Sequence, residues 1–419
     1  MNRHPVALYA ALVGLAVFSA RIAFTQIASS TPLAVESATT IPASVAYVYV
    51  QTTNGVNAYD AAANGALTLV KGSPFATLGQ MGGNNGKYLI SVGNTWLHSY
   101  AIGGNGAIGK QAGAINTQNY GGSECGVTSN GSPNGAILDH TGQDFYISLW
   151  SNQGTPPYIY YTCAAWQSYR IGSNGEFAFL GDMKYFSQDA GQPDPSTVPT
   201  FSSNDKFAYG VFNTDLGVPA YFSTFQRLAS GALVVMQSFT ETDPESQEGV
   251  SMQYYPQALS ADNAGHLAAL VQSEVVPIVG SQFGPLQLAS YTINSSGGIS
   301  STNTFAEMPI PTLEYPSIMS MSPSGKLLVL GSVGNSAGIQ IFHFNGAAPI
   351  TAYSAPLLQG VDIEQLAWDK NNHLYALSYD TGMLYVYTVT PTSINEVPGS
   401  PFVAPNAYGI QGLIVVPKL

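Results

Sequence analysis

Four carboxylates in this chain are candidates for acid–base work: Glu314, Glu364, Asp215 and Glu274. A carboxylate lining a channel can activate a water molecule, and the oxyanion that follows needs a donor or a cation. Bases are available, but cations are scarce, because Arg170 and Arg227 are the only arginines after Arg21. A second group combines aromatic and acidic side chains: Trp150, Tyr158, Tyr160, Tyr161, Asp189, Asp243 and Glu245. Aromatic faces beside carboxylates suit sugar rings, peptides or cations. Carboxylate oxygens could also hold Ca²⁺, but the run from Glu241 to Glu248 lacks a calcium-loop spacing and reads as a solvated charged loop. No other metal site and no cofactor are expected.

The elements that must position these groups repeat along the chain. Seven apolar segments, centred on Val45–Val50, Lys87–Val92, Asp144–Leu149, Lys206–Val211, His266–Val271, Lys326–Leu330 and His373–Leu377, share one pattern. All but the first follow a small-residue turn such as Asn84-Asn85-Gly86 or Pro323-Ser324-Gly325. We call these strands B. A strand C follows each, with an aromatic at a matching place: Tyr59, Tyr100, Tyr169, Phe225, Tyr291, Phe342 and Tyr387. Six of the C strands run into a glycine turn: Asn64-Gly65, Asn105-Gly106, Asn174-Gly175, Ser230-Gly231, Gly297-Gly298 and Asn345-Gly346. Asn-Gly is a strong hairpin signal, because both central residues can take positive φ. A strand D closes each unit, and a strand A precedes each B.

Four antiparallel strands repeated seven times predict an all-β chain, a seven-bladed β-propeller. The last segment, Gly409–Pro417, reads as a strand A without its own B, and the first repeat begins at a B without its own A. The C-terminal strand is therefore expected to complete blade one and close the ring. A pair of β-sandwiches is the alternative, and seven in-phase repeats with complementary ends weigh against it.

Several motif-like strings lose their usual meaning in this frame. Gly104–Gly109 fits a GxGxxG string, but it falls on the C–D turn of blade two rather than between a strand and a helix. Gly334–Gly338 fits GxSxG, but it joins antiparallel strands, so Ser336 is a loop serine. His266 and His373 sit at equivalent turn exits and read as repeat residues rather than ligands, while His98 and His343 lie on C strands as surface or groove fillers.

The segments Val56-Asn57-Ala58-Tyr59, Gly65-Ala66-Leu67-Thr68, Met321-Ser322-Pro323-Ser324-Gly325-Lys326-Leu327 and the paired Gly72-Ser73-Pro74-Phe75 and Gly399-Ser400-Pro401-Phe402 resemble the lactonase-like propellers. That family includes 6-phosphogluconolactonase-type enzymes and carboxymuconate cycloisomerases. The resemblance implies a seven-bladed fold and lactone hydrolysis. It also implies a histidine approaching one blade and an Asp-Leu-Gly after that blade's strand B. Blade three instead carries Asp139-His140 and then Ser148-Leu149-Trp150-Ser151, and Asp215-Leu216-Gly217 stands in blade four with no histidine beside it. Both arginines fall on or beside strands C, where they read as structural partners rather than as a phosphate clamp.

Insertions mark one face. The span from the B anchor to the C aromatic is 12 residues for Tyr47–Tyr59 and Tyr88–Tyr100, but 24 for Phe145–Tyr169 and Leu267–Tyr291, and 18 for Phe207–Phe225. The connections into blades three, four and five are long as well. B–C and D–A connections emerge on the same side of a propeller, so the extra chain gathers over three adjacent blades. Such inserts often form the binding surface. Cys125 and Cys163 should meet on that face, as a disulfide in an exported chain or else as two free thiols.

Charged residues make up only 9% of the 419, which excludes coiled coils and helical repeats, and the net charge of −12 disfavours nucleic acid and anionic lipid as partners. Residues 1–28, with Arg3 and His4 before an apolar run, read as a secretory signal or an N-terminal anchor. Residues 29–44 are a linker and 45–419 the propeller, with no other run long enough to span a bilayer. The expectation is a secreted or periplasmic monomer that binds a neutral small molecule, a glycan or a protein partner through the face of blades three to five. The alternative is a lactone hydrolase acting on a sugar or small organic lactone.

Overall fold

The computed structural model describes residues 43–93, 95–117, 132–153, 161–186, 193–194, 199–214, 221–239, 251–276, 282–307, 315–404 and 412–418. The B strands show why this sequence makes radial sheets. In Tyr88–Val92 every side chain is buried, and the same holds for His373–Leu377. A strand buried on both faces reads as an unbroken apolar run rather than an alternation. Leu89 packs into the layer shared with blade one, while its neighbour Ile90 packs into the layer shared with blade three. Each blade thus supplies half of two cores, and no blade can be stable alone. Outer strands have no such double cover, and Val235 to Ser238 of blade four are all exposed.

Seven antiparallel sheets result. Blade two runs from Gln80–Asn84 through Tyr88–Val92 and Trp96–Ile102 to Ile108–Asn116. Blade three orders Ser132–Leu138, Asp144–Gln153, Tyr161–Ile171 and Phe177–Phe186 from inside to outside. In blade four the second strand, Phe207–Thr214, pairs with both Thr200–Phe201 and Pro193–Asp194. Ring closure follows the expectation: Gly412–Pro417 pairs with Ser44–Thr52, from Gln51 opposite Gly412 to Ala46 opposite Pro417. The first and last described strands therefore share one sheet, which removes an exposed inner edge.

Side chains tie the inner strands together around the ring. Thr200 Oγ1 accepts the Ala261 N–H, Ser260 Oγ accepts that of Met321, and Gln365 Oε1 accepts that of Leu413. The A–B turns are capped by the residue before the turn. Asp262 Oδ1 accepts the N–H groups of Ala264 and His266, and Asp369 does the same for Asn371 and His373. Ser322 replaces the aspartate in blade six, accepting the Leu327 N–H. The two Gly-Ser-Pro-Phe copies also match, since Ser73 and Ser400 each take an N–H from their own strand C.

The insertions in blades three and five turn out to be more sheet than loop. Strand B has 5 residues in blades two and seven, 10 in blade three and 11 in blade five. The blade-three hairpin stays in register from Asp144 opposite Arg170 out to Gln153 opposite Tyr161. Counted from the matching anchors Phe145 and Tyr88, strand B of blade three runs 4 residues further than that of blade two, which at the rise of a strand carries the hairpin about 13 Å beyond it.

Candidate functional site

The B–C face offers two features, the inner rim of the ring and the projecting ends of blades three and five. At the rim, the inner strands of blades two, three, five and six each shift register at matching points, Met81/Gly83, Pro133/Gly135, Pro256/Ala258 and Pro316/Ile318. Bulges of this kind re-aim side chains and are common beside binding sites. Glu364 stands at the rim of blade seven, immediately before the inner strand Gln365–Trp368. Its Oε2 accepts the Tyr379 N–H at 2.8 Å. Burial raises its pKa above the ordinary carboxylate value, and the neighbouring Asp380 and Asp362 push the same way. Burial also lifts the Tyr379 phenol, to about 12. The group is thus a carboxylate poised to hold a proton more readily than a solvated one.

Aromatic contacts pack the lower part of blade five against blade four, where Tyr291 pairs with Leu267, and stiffen each blade within itself. Phe222 lies 5.0 Å from Tyr291 and 5.8 Å from Phe239, and Tyr254 stacks on Phe305 at 4.5 Å. Rigid, well-packed bases of this kind let a hairpin stand out from the ring without collapsing.

Of the residues the sequence singles out, some fall on these extended strands. Trp150 sits opposite Ala164 and Ser132, and Tyr161 opposite Gln153 at the hairpin's far end. Glu274 pairs with Gln253 and Phe283 on blade five's extension. Cys163 lies between Ser151 and Phe186 in blade three. Its expected partner Cys125 lies outside the described residues, as do Glu314, Asp215, Tyr158, Tyr160, Asp189, Asp243 and Glu245. Among the described residues no three metal-ligating side chains converge, and no helix is long and apolar enough to cross a membrane.

The arginines are committed elsewhere. On the opposite face, at the A–B and C–D turns, Arg170 Nε and Nη2 donate to the two oxygens of Asp144 at 2.8 and 3.0 Å. Arg227 pairs with the same Asp144 and, at 2.9 Å, with Asp139, while its Nε donates to the Tyr146 hydroxyl. Tyr146 donates in turn to the Gly231 carbonyl at 2.7 Å. This network joins blades three and four and leaves neither guanidinium for a substrate phosphate. Sequence reasoning placed both arginines as structural pairs; their partners lie 26 to 88 positions away, beyond any local pattern. The histidines behave likewise: the Nδ1 atoms of His266 and His373 lie 2.8 and 2.7 Å from Asp262 and Asp369. Ser336 lies in the turn between antiparallel strands, where its carbonyl accepts a bond from Ser332.

No protein-family profile matches the sequence, and no curated protein matches it. Solved structures do. A protein from Bacteroides fragilis described as a "putative 6-phosphogluconolactonase" superposes with a TM-score of 0.59 at 13% identity, covering 89% of this chain and 98% of that one. A counterpart so described from Bacteroides uniformis gives 0.60 at 12% identity, covering 89% and 100%. Kuenenia stuttgartiensis hydrazine synthase gives 0.50 at 13%, covering 81% and 90%. The class is therefore plain: a seven-bladed β-propeller with the 6-phosphogluconolactonase-like fold. At these identities the likeness is one of fold.

Proposed function

We propose that this protein is an exported binding propeller whose working surface is the B–C face over blades three to five. The observation that carries the reading is the lengthening of the B–C hairpins in blades three and five. Strands B and C grow together there, so the added chain is hairpin sheet projecting from the B–C face. The commitment of Arg170 and Arg227 to Asp144 and Asp139 argues against a phosphorylated ligand. The acidic balance favours neutral ligands, glycans or protein partners over polyanions.

The second reading is a lactone hydrolase, and Glu364 is the observation that favours it. A rim carboxylate with a raised pKa can act as a general base near neutral pH. Proton release by the purified protein, measured against sugar and aliphatic lactones, separates the two. The binding reading expects no turnover above background. Turnover lost in a Glu314→Gln, Glu364→Gln variant would sink it and establish the hydrolase.

A further inference from the structure

The face opposite the tall blades is flat and carries a ring of basic residues. Its A–B connections are tight turns, such as residues 139–143 in blade three and 369–372 in blade seven. Each blade places a lysine or a histidine there. Lys87, Lys206, Lys326 and Lys370 serve blades two, four, six and seven, and all four are exposed. His140 serves blade three and His266 blade five. In blade one, whose strands A and B are not consecutive, the exposed Lys418 follows the inner strand Gly412–Pro417. Its ammonium lies 5.1 Å from the centre of the Tyr47 ring, and that of Lys87 donates to the Ser173 carbonyl, so both stay at this face.

The carboxylates beside the ring are spent within the fold. Asp139 and Asp144 are buried against the two arginines, and Asp205, Asp262 and Asp369 are buried against His140, His266 and His373. Among the described residues no lysine of the ring is ion-paired, and the exposed carboxylates nearby are Glu176 and Glu396, on or beside outer strands. Asp362, Glu364 and Asp380 lie at the other face, on the rim of blade seven. A net charge of −12 repels polyanions on average, but within a Debye length of a surface its own exposed charges dominate. The chain also enters the propeller at the lysine face. Ala43, whose carbonyl accepts the Ala63 N–H, precedes the foot of Ser44–Thr52, where Ser44 stands opposite Ala62. The apolar run of residues 1–28 is therefore joined to the fold, through the linker, on the side where the lysines stand.

We infer that the A–B face seats the propeller on an anionic phospholipid surface through Lys87, Lys206, Lys326, Lys370 and Lys418, with the B–C face turned to solvent. A flat face suits a planar bilayer, and each lysine brought near anionic headgroups adds to the affinity. The test is sedimentation of the full-length protein with vesicles of phosphatidylcholine alone and of equal parts phosphatidylcholine and phosphatidylglycerol, in about 0.1 M salt. Binding to the anionic vesicles should be about tenfold tighter or more, a ratio that cancels charge-independent insertion of the apolar run. The triple variant Lys206→Gln, Lys326→Gln, Lys370→Gln should cut that preference about tenfold. Lys71→Gln, Lys110→Gln, Lys184→Gln, which removes equal charge on or beside outer strands, should keep it. The face variant should melt with the parent, because its three side chains are exposed. No preference for anionic vesicles, a preference that survives the face variant, or an equal loss in both variants would overturn the inference. Full displacement from the vesicles by an equal charge of heparin would overturn it too, by assigning the ring to a polyanionic polymer. None of these outcomes touches the binding surface proposed for the B–C face.

Discussion

Gly65 of blade one rests on the ring of His373 in blade seven, across the seam where the propeller closes. A Cβ at Gly65 would come within 3.1 Å of His373 Cδ2 and 2.6 Å of Val397 Cγ1. The relationship recurs around the ring. Gly106 would meet Tyr47 at 2.5 Å, Gly175 would meet Tyr88 at 2.8 Å, Gly297 would meet Phe207 at 2.4 Å and Gly346 would meet His266 at 3.0 Å. In each case the C–D turn of one blade is pressed against the start of strand B in the blade before it. Tyrosines fasten the same joint: Tyr49 donates to the Gly106 carbonyl at 3.0 Å and Tyr209 to the Gly297 carbonyl at 3.2 Å.

These glycines therefore serve twice, as positive-φ turn residues and as spacers between blades. Gly65→Ala should cost about 1–3 kcal/mol, combining left-handed backbone strain at φ +81° with the forced contact. Gly360→Ala, at φ +79° but with nothing within 4 Å, should cost only the backbone share, and Gly104→Ala, with open space and no positive φ, almost nothing. Equal denaturant midpoints for Gly65→Ala and Gly360→Ala would show that the interblade contact is soft.

Asp144 has no exposed side-chain surface and is shared by two arginines of unequal exposure, Arg170 at 40% and Arg227 at 20%. Asp144→Ala takes one of two carboxylates from a largely buried guanidinium, which keeps Asp139, and should cost about 2–3 kcal/mol. Arg170→Ala removes a half-solvated partner and should cost no more than about 1 kcal/mol, with some loss of effect in high salt. Urea titration of the two variants decides it, and a similar loss in both would mean that solvent does not discriminate between the arginines.

How far the sequence carries can be judged from these same residues. The Asn-Gly turns were legible because positive φ is a local demand with few solutions, and in-phase turns imply radial sheets. The second role of Gly65 was not, because His373 lies in the last blade and meets it only when the ring closes. Lengthened blades were legible as residue counts between Phe145 and Tyr169, but the counts cannot say whether extra chain is loop or strand. That depends on cross-strand pairing as far out as Gln153 and Tyr161.

His140 donates from Nδ1 to Asp205 Oδ1, 2.7 Å away, linking the A–B turns of blades three and four. That bond raises the pKa of His140 above its ordinary 6.5, against an opposing but smaller burial effect. With the folded value above the unfolded one, the stabilisation is fully present below pH 6.5 and fades as pH rises through the folded value. The ring is 53% exposed, so the effect should be small. The stability gap between the parent and His140→Gln should therefore be wider near about pH 5.5 than near about pH 8.5. A gap that widens with pH would reverse the assignment.

Glu364 has a linkage of the same sign, set by burial rather than by a partner, and bears on function. Its folded pKa is raised by burial, so the folded state holds a proton that the unfolded state releases, and stability falls as pH climbs from 4.5 through the folded value. At neutral pH the ionised carboxylate is a net cost. Glu364→Gln removes that charge yet keeps an oxygen for the Tyr379 N–H, so the variant should be more stable than the parent at neutral pH and equal to it in acid. Thermal melts across that range check the sign, and a destabilised neutral variant would mean that the charge itself holds the rim together. A fold that tolerates such a cost at an inner rim keeps the group for something other than stability. Pairing the melts with lactone turnover then separates the two roles for the rim. A more stable variant with an unchanged null turnover fits a rim that orients a bound ligand, whereas a more stable variant that loses measurable hydrolysis marks Glu364 as the base.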